Sequence, residues 1–240
     1  AYLATTRAEG IIPALESSTL SPAPEDWPEE NLPAAISWST YLAAATKTWT
    51  LSAPTLLKQG KITMKTVKNE SRLTETFSKL NQEGKKAFIP FNLLGYPDNE
   101  SCIATLKALV EGGATALELG LPFSDPMADG PLIQRASHSV LEAGFSIADA
   151  VAIIKEVRSA CPDTPINLLT YFNLALSNGV EPFLTRFKAA GVDAVTFVDL
   201  PLEEMEEIYG TMQNLELDSV MLISPLTPPR RIDEILKYAR

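Results

Sequence analysis

From about residue 70 the chain alternates short apolar runs with amphipathic stretches, and this alternation limits the folds open to it. The runs AFIPFNLLGYP (87–97), TALELGLP (115–122), PINLLTYFN (165–173), AVTFVDLP (194–201) and SVMLISPL (219–226) read as strands. Nearly continuous apolar strands of this length suit a parallel sheet covered on both faces. Between them, RLTETFSKLNQEGK, ESCIATLKALVEGG, SHSVLEAGFSIADAVAIIKEVRSACP, GVEPFLTRFKAAGVD, LEEMEEIYGTMQNLE and PPRRIDEILKYAR read as helices. Repeated βα units predict an α/β fold, either a doubly wound sheet or a (β/α)8 barrel. Only five strands can be counted, whereas a closed barrel takes eight over roughly 250 residues. The count leaves a doubly wound sheet or an incomplete barrel, the latter with open edges at its first and fifth strands.

Residues 1–63 have a different character. The stretch 19–55 is proline-rich, holds all three tryptophans (Trp27, Trp38, Trp49) and shows no sustained period. A division into an irregular extension, 1–63, and an α/β domain, 64–240, is expected. The net charge of −10 gives no electrostatic footprint for nucleic acid or an anionic membrane. No apolar run reaches membrane-spanning length. Cys102 and Cys161 form no metal-binding spacing, which predicts reduced thiols in a cytoplasmic protein with no metal site. His138, the single histidine, has no companions for a triad and is read as a helix-surface residue.

The stretch LELGLPFSDPMADGP (117–131) carries the chemistry. Glu118 lies inside a strand between Leu117 and Leu119, so its side chain points opposite to theirs, into the interior of a barrel. A partly desolvated carboxylate there suits a general acid–base. Asp129 sits in the following loop, at the strand C-terminal end where βα folds place their chemistry. It can lie over the mouth as a fixed anion. The spacing alone equally allows a buried, satisfied Glu and a turn-capping Asp.

ALELGLPFSDPMADGPLIQ, with KAFIPFNLLGYPD before it and NLLTYFNLALSNGVEPFLTRFKAAGVDAVTFVDLPLEE after it, resembles the tryptophan synthase alpha subunit family. The resemblance runs from about residue 70 to the C-terminus. It implies a TIM barrel that cleaves indole-3-glycerol phosphate into indole and glyceraldehyde 3-phosphate. It implies that Glu118 is the general acid–base and that Asp129 holds the indole N–H. It also implies an indole pocket of Phe91, Leu169 and Tyr171. Leu93 departs from the small polar residue common at its position. Asp125, Pro126, Asn173 and Pro201 match the contact with the beta subunit, the implied partner. The alpha reaction needs no cofactor, since pyridoxal phosphate belongs to the beta subunit. The Gly-rich turns that seat the phosphate after the seventh and eighth strands have no counterpart before Arg240, so the chain alone is expected to be inactive. The competing readings are a non-catalytic half-barrel that docks on a beta subunit and another barrel enzyme acting on a phosphorylated substrate.

RAEGIIPALESS (7–18) resembles instead the C-terminal region of the beta subunit, and LLKQGKI (56–62) resembles the end of that region. Glu16 matches a residue near the beta cofactor, but the cofactor-binding lysine is absent from the segment. Residues 36–52, back-translated and read one nucleotide earlier, can yield a beta-subunit motif. Two readings of 19–55 stand: an out-of-frame remnant with Met64 as the alpha start, or a natural proline-rich linker.

Overall fold

The computed structural model describes residues 11–13, 71–224 and 226–239. The irregular extension, and with it nearly all of the beta-like segment, lies outside the described residues. The exception is β1 (Ile11–Pro13).

The described elements are β1, α1 (Arg72–Gln82), β2 (Phe91–Leu93), α2 (Asn99–Glu111), β3 (Leu117–Gly120), α3 (Pro131–Glu142), α4 (Ile147–Ala160), β4 (Ile166–Thr170), α5 (Phe172–Asn178), α6 (Val180–Ala190), β5 (Ala194–Phe197), α7 (Leu202–Asn214), β6 (Asp218–Ser219), β7 (Met221–Ile223) and α8 (Pro229–Ile235). Strands β2 to β6 form one parallel sheet in sequential order. A doubly wound sheet reverses its strand order at a switch point. This order never reverses, so the winding is that of a barrel.

Three expectations need correction. The helix predicted over 137–162 is two helices. Gly144 takes φ 86° between them, and a capping box of Ser146 and Asp149 starts α4. The strand predicted over 165–173 ends at Thr170, so Phe172 and Asn173 open α5. The run 219–226 is split into β6 and β7, and the edge beyond it is not open. β7 pairs in parallel with β1, Ile11 opposite Met221.

The two faces of the sheet differ in chemistry. Leu117, Leu119, Ile166, Leu168, Val195 and Phe197 share one face and pack against Leu106, Ile154, Val157, Phe183, Phe187 and Met212 of the surrounding helices. Each such buried side chain contributes about 1.5–3 kcal/mol. The opposite face carries two ranks set by register. Phe91, Glu118, Asn167, Ala194 and Asp218 form the first, and Leu93, Gly120, Leu169 and Thr196 the second. Helix α1 covers the N-terminal end of this face, with Leu73 and Phe77 against Ala87, Ala116, Ala194 and Val220. Arg72 and Arg158 tie α1 and α4 to the buried Asp193 just before β5. The polar interior is therefore plugged at its base, and its other end is the side where the βα loops lie.

Candidate active site

Glu118 is 2% exposed, in the first interior rank, as its alternation with Leu117 and Leu119 predicts. Its neighbour on β4 is polar as well. Asn167 Nδ2 donates to Glu118 Oε1 at 3.2 Å and to Thr196 Oγ1 at 2.9 Å. A buried carboxylate, amide and hydroxyl are tolerated here because they are bonded to one another. Sequence reasoning missed Asn167 and Thr196. The signal was present: each is a polar residue inside an apolar strand, just as Glu118 is.

Phe91 lies beside Glu118 in register, and its ring crosses toward β3 over Gly120. A Cβ built on Gly120 would meet Phe91 Cζ at 2.6 Å, so the close approach of the ring requires glycine. Leu169 is opposite Gly120 and half-buried; Leu93 flanks Gly120 on the other side and is buried. The second rank is thus largely apolar, one step nearer the mouth than Glu118.

Asp129 belongs to the loop between β3 and α3. Tyr171, immediately after β4, donates from its hydroxyl to Asp129 Oδ2 at 2.9 Å and accepts from Ala128 N at 2.9 Å. The Tyr171 ring stacks on Phe123 with centroids 4.9 Å apart. Burial raises the Asp129 carboxyl above its ordinary range, and the Tyr171 bond partly offsets this. The Tyr171 hydroxyl is pushed strongly up, first by burial and then by the Asp129 charge. Two anchors hold the loop. Gln134 Nε2 donates to the Asp129 carbonyl at 2.8 Å. Ser137, 1% exposed, accepts from Phe123 N and donates to Phe123 O, both at 2.9 Å. Neither anchor was foreseen.

Asp125, Asn173 and Pro201 are exposed and Pro126 is half-buried. They follow β3, β4 and β5, so all four lie on the strand C-terminal side. His138 is exposed on α3, where Nε2 pairs with Glu142 Oε1 at 3.1 Å. Cys102 is buried and Cys161 half-buried, both unbridged. Among the described residues no group of His, Cys, Asp and Glu forms a metal site, and no helix is long and apolar enough to cross a membrane.

The family profile for the tryptophan synthase alpha chain matches residues 77–240. The chain belongs to the tryptophan synthase alpha chain family. Curated relatives agree. The chain is 41% identical over 170 residues to the tryptophan synthase alpha chain of Laribacter hongkongensis, covering 71% of this chain and 64% of the relative. It is 44% identical over 170 residues to that of Chromobacterium violaceum, with the same shares. It thus spans just under two thirds of the length of these relatives. The crystal structure of tryptophan synthase subunit alpha from Legionella pneumophila superposes with a TM-score of 0.69 at 35% identity, over 72% of this chain and 66% of that one. The tryptophan synthase complex from Pyrococcus furiosus gives 0.61 at 40% identity, over 64% of this chain and 63% of that one. The barrel assignment of the sheet thus follows from its winding and from its relatives alike. The family profile begins at residue 77, so it does not reach the beta-like segment.

Proposed function

We propose that this chain performs the alpha reaction of tryptophan biosynthesis, the retro-aldol cleavage of indole-3-glycerol phosphate to indole and glyceraldehyde 3-phosphate. The observation that carries this is Glu118, a buried carboxylate on the interior face beneath an apolar rank, with a second carboxylate, Asp129, in the loop that follows its strand. Glu118 delivers a proton to indole C3, which leaves positive charge spread onto the ring nitrogen. Asp129 accepts the indole N–H and offsets that charge. Glu118 then takes the proton of the glycerol C3′ hydroxyl. The C3–C3′ bond breaks, its electron pair returns to the indole ring, and the C3′ carbon becomes the aldehyde. Phe91, Leu169 and Tyr171 bound the indole and exclude water.

The chain's own residues supply acid, base and anion, so the cleavage needs no cofactor from it. Pyridoxal phosphate belongs to the beta subunit, the proposed partner, which docks on the rim formed by Asp125, Pro126, Asn173 and Pro201. The proposed setting is the cytoplasm. Residues 1–63 are proposed as a segment derived from the beta subunit, joined to an alpha domain over 64–240.

The test is indole release from indole-3-glycerol phosphate, with and without added beta subunit. In a longer chain that carries the phosphate-seating turns, the unsubstituted protein should release indole and Glu118→Gln should not, while its affinity for substrate stays largely intact; the 240-residue chain by itself should release little or none. Equal turnover by Glu118→Gln would move the acid–base role to another residue. Absence of release by the longer chain with retained beta binding would favour a docking module.

A further inference from the structure

Asn167 stands between Glu118 on β3 and Thr196 on β5. All three are interior, at 2%, 3% and 0% exposure for Glu118, Asn167 and Thr196. Asn167 Nδ2 donates to Glu118 Oε1 and to Thr196 Oγ1, and the Thr196 hydroxyl donates back to Asn167 Oδ1 at 3.3 Å. The Thr196 hydroxyl can donate or accept and so fits either setting of the amide; the acceptor-only Glu118 carboxylate is what requires the NH2 group on its side. Turned around, the amide would set its carbonyl oxygen against an acceptor-only anion. A buried amide in an otherwise apolar strand costs stability unless its bonds are made. Packing alone gives no reason for Asn in INLLT, or for Thr in AVTF, to face the interior.

We propose that Asn167, itself oriented by Thr196, is a positioning residue for Glu118. It holds the carboxylate in one orientation on the interior face and favours the ionised form that takes the hydroxyl proton. This rests on the lyase reading and deepens it. Neither residue needs to touch the reacting atoms. A hydrogen bond donated to a carboxylate favours its charged form, and one rotamer aims it. Among the described residues, titratable groups also turned to this interior include Asp218 of β6, which accepts from Ser71 ahead of α1, and Asp129 with Tyr171 at the loop end. The variants below leave all of them in place.

The experiment compares Asn167→Leu, which removes the donor at similar volume, with Thr196→Val, which keeps the shape and removes only the orienting hydroxyl. Two readouts are taken. The Glu118 carboxylate is titrated by carbon-13 NMR, its resonance assigned by loss in Glu118→Gln, and steady-state indole release is measured in the longer chain with the beta subunit present. In both variants the Glu118 midpoint should move to higher pH, further in Asn167→Leu. Turnover should fall about 10- to 100-fold in Asn167→Leu, with KM for indole-3-glycerol phosphate within about twofold. If Asn167→Leu does not fold, the isosteric Thr196→Val decides. An unchanged Glu118 midpoint in a folded variant overturns the proposal, whatever happens to activity. If Glu118→Gln turns over like the unsubstituted chain, the lyase assignment of Glu118 fails. The NMR midpoint then still judges the contact on its own.

Discussion

The hydroxyl of Tyr171 and the carboxylate of Asp129 meet at 2.9 Å, joining the end of β4 to the loop after β3. That bond ties the loop to the strand end and lowers the Asp129 carboxyl, partly offsetting the larger rise that burial causes. Tyr171→Phe removes that bond and the one from Ala128 N. We expect a loss of about 1–2 kcal/mol in stability at neutral pH, read by urea unfolding, and a larger loss of indole release than of substrate affinity. Stability within error of the unsubstituted chain would show that the loop is held by Gln134 and Ser137 alone.

The sign of the pH effect at Asp129 follows from its raised carboxyl. The folded state keeps the proton to higher pH than the unfolded chain, whose aspartates titrate near about 3.9. Stability from this group is therefore full at low pH and falls as pH rises from the unfolded value through the folded one. Asp129→Asn should remove that part of the slope and leave the protein less sensitive to neutral pH. Tyr171→Phe should stretch the falling region upward, because the bond that lowers the carboxyl is gone. Unfolding series across pH 3 to 8 measure both, and parallel curves for all three proteins would refute the assignment.

Gly120→Ala tests the approach of the Phe91 ring. The new Cβ would lie 2.6 Å from Phe91 Cζ and 2.7 Å from Cε2, so the ring must move. Overpacking of this kind costs about 1–3 kcal/mol. The smaller side chain of Phe91→Leu should recover much of it in the double variant. Additive losses would show that Phe91 does not fill this space.

Asp193 accepts from Arg158 Nη2 at 2.7 Å and from the Ile166 amide at 2.8 Å, and it is 7% exposed. Asp193→Ala leaves the largely buried Arg158 charge without its carboxylate and should cost about 3–5 kcal/mol. Arg72, whose side chain is 39% exposed, contributes far less, and Arg72→Met should cost under about 1 kcal/mol. Chemical denaturation of the two variants checks the order, and a reversed order would place the weight of the network on α1.

The orientation of Glu118 was legible in four letters, because a residue between two leucines of a strand must face away from them. The alternation of strand and helix was legible for the same local reason, since backbone period and burial leave their mark on neighbouring residues. The break at Gly144 and the Ser146 cap were also written locally, yet a continuous apolar period across them read as one helix. Local sequence could not decide between two windings of the same βα units. That depended on strand order, which depends on which edges pair across the whole chain. It could not show that Asn167 meets Glu118, 49 positions away, and Thr196, 29 positions away, because register between parallel strands is set only when the helices between them have packed. Nor could it bring Tyr171 to Asp129: a loop carboxylate acquires its environment from whatever strand end arrives beside it, and only the folded sheet decides which one does.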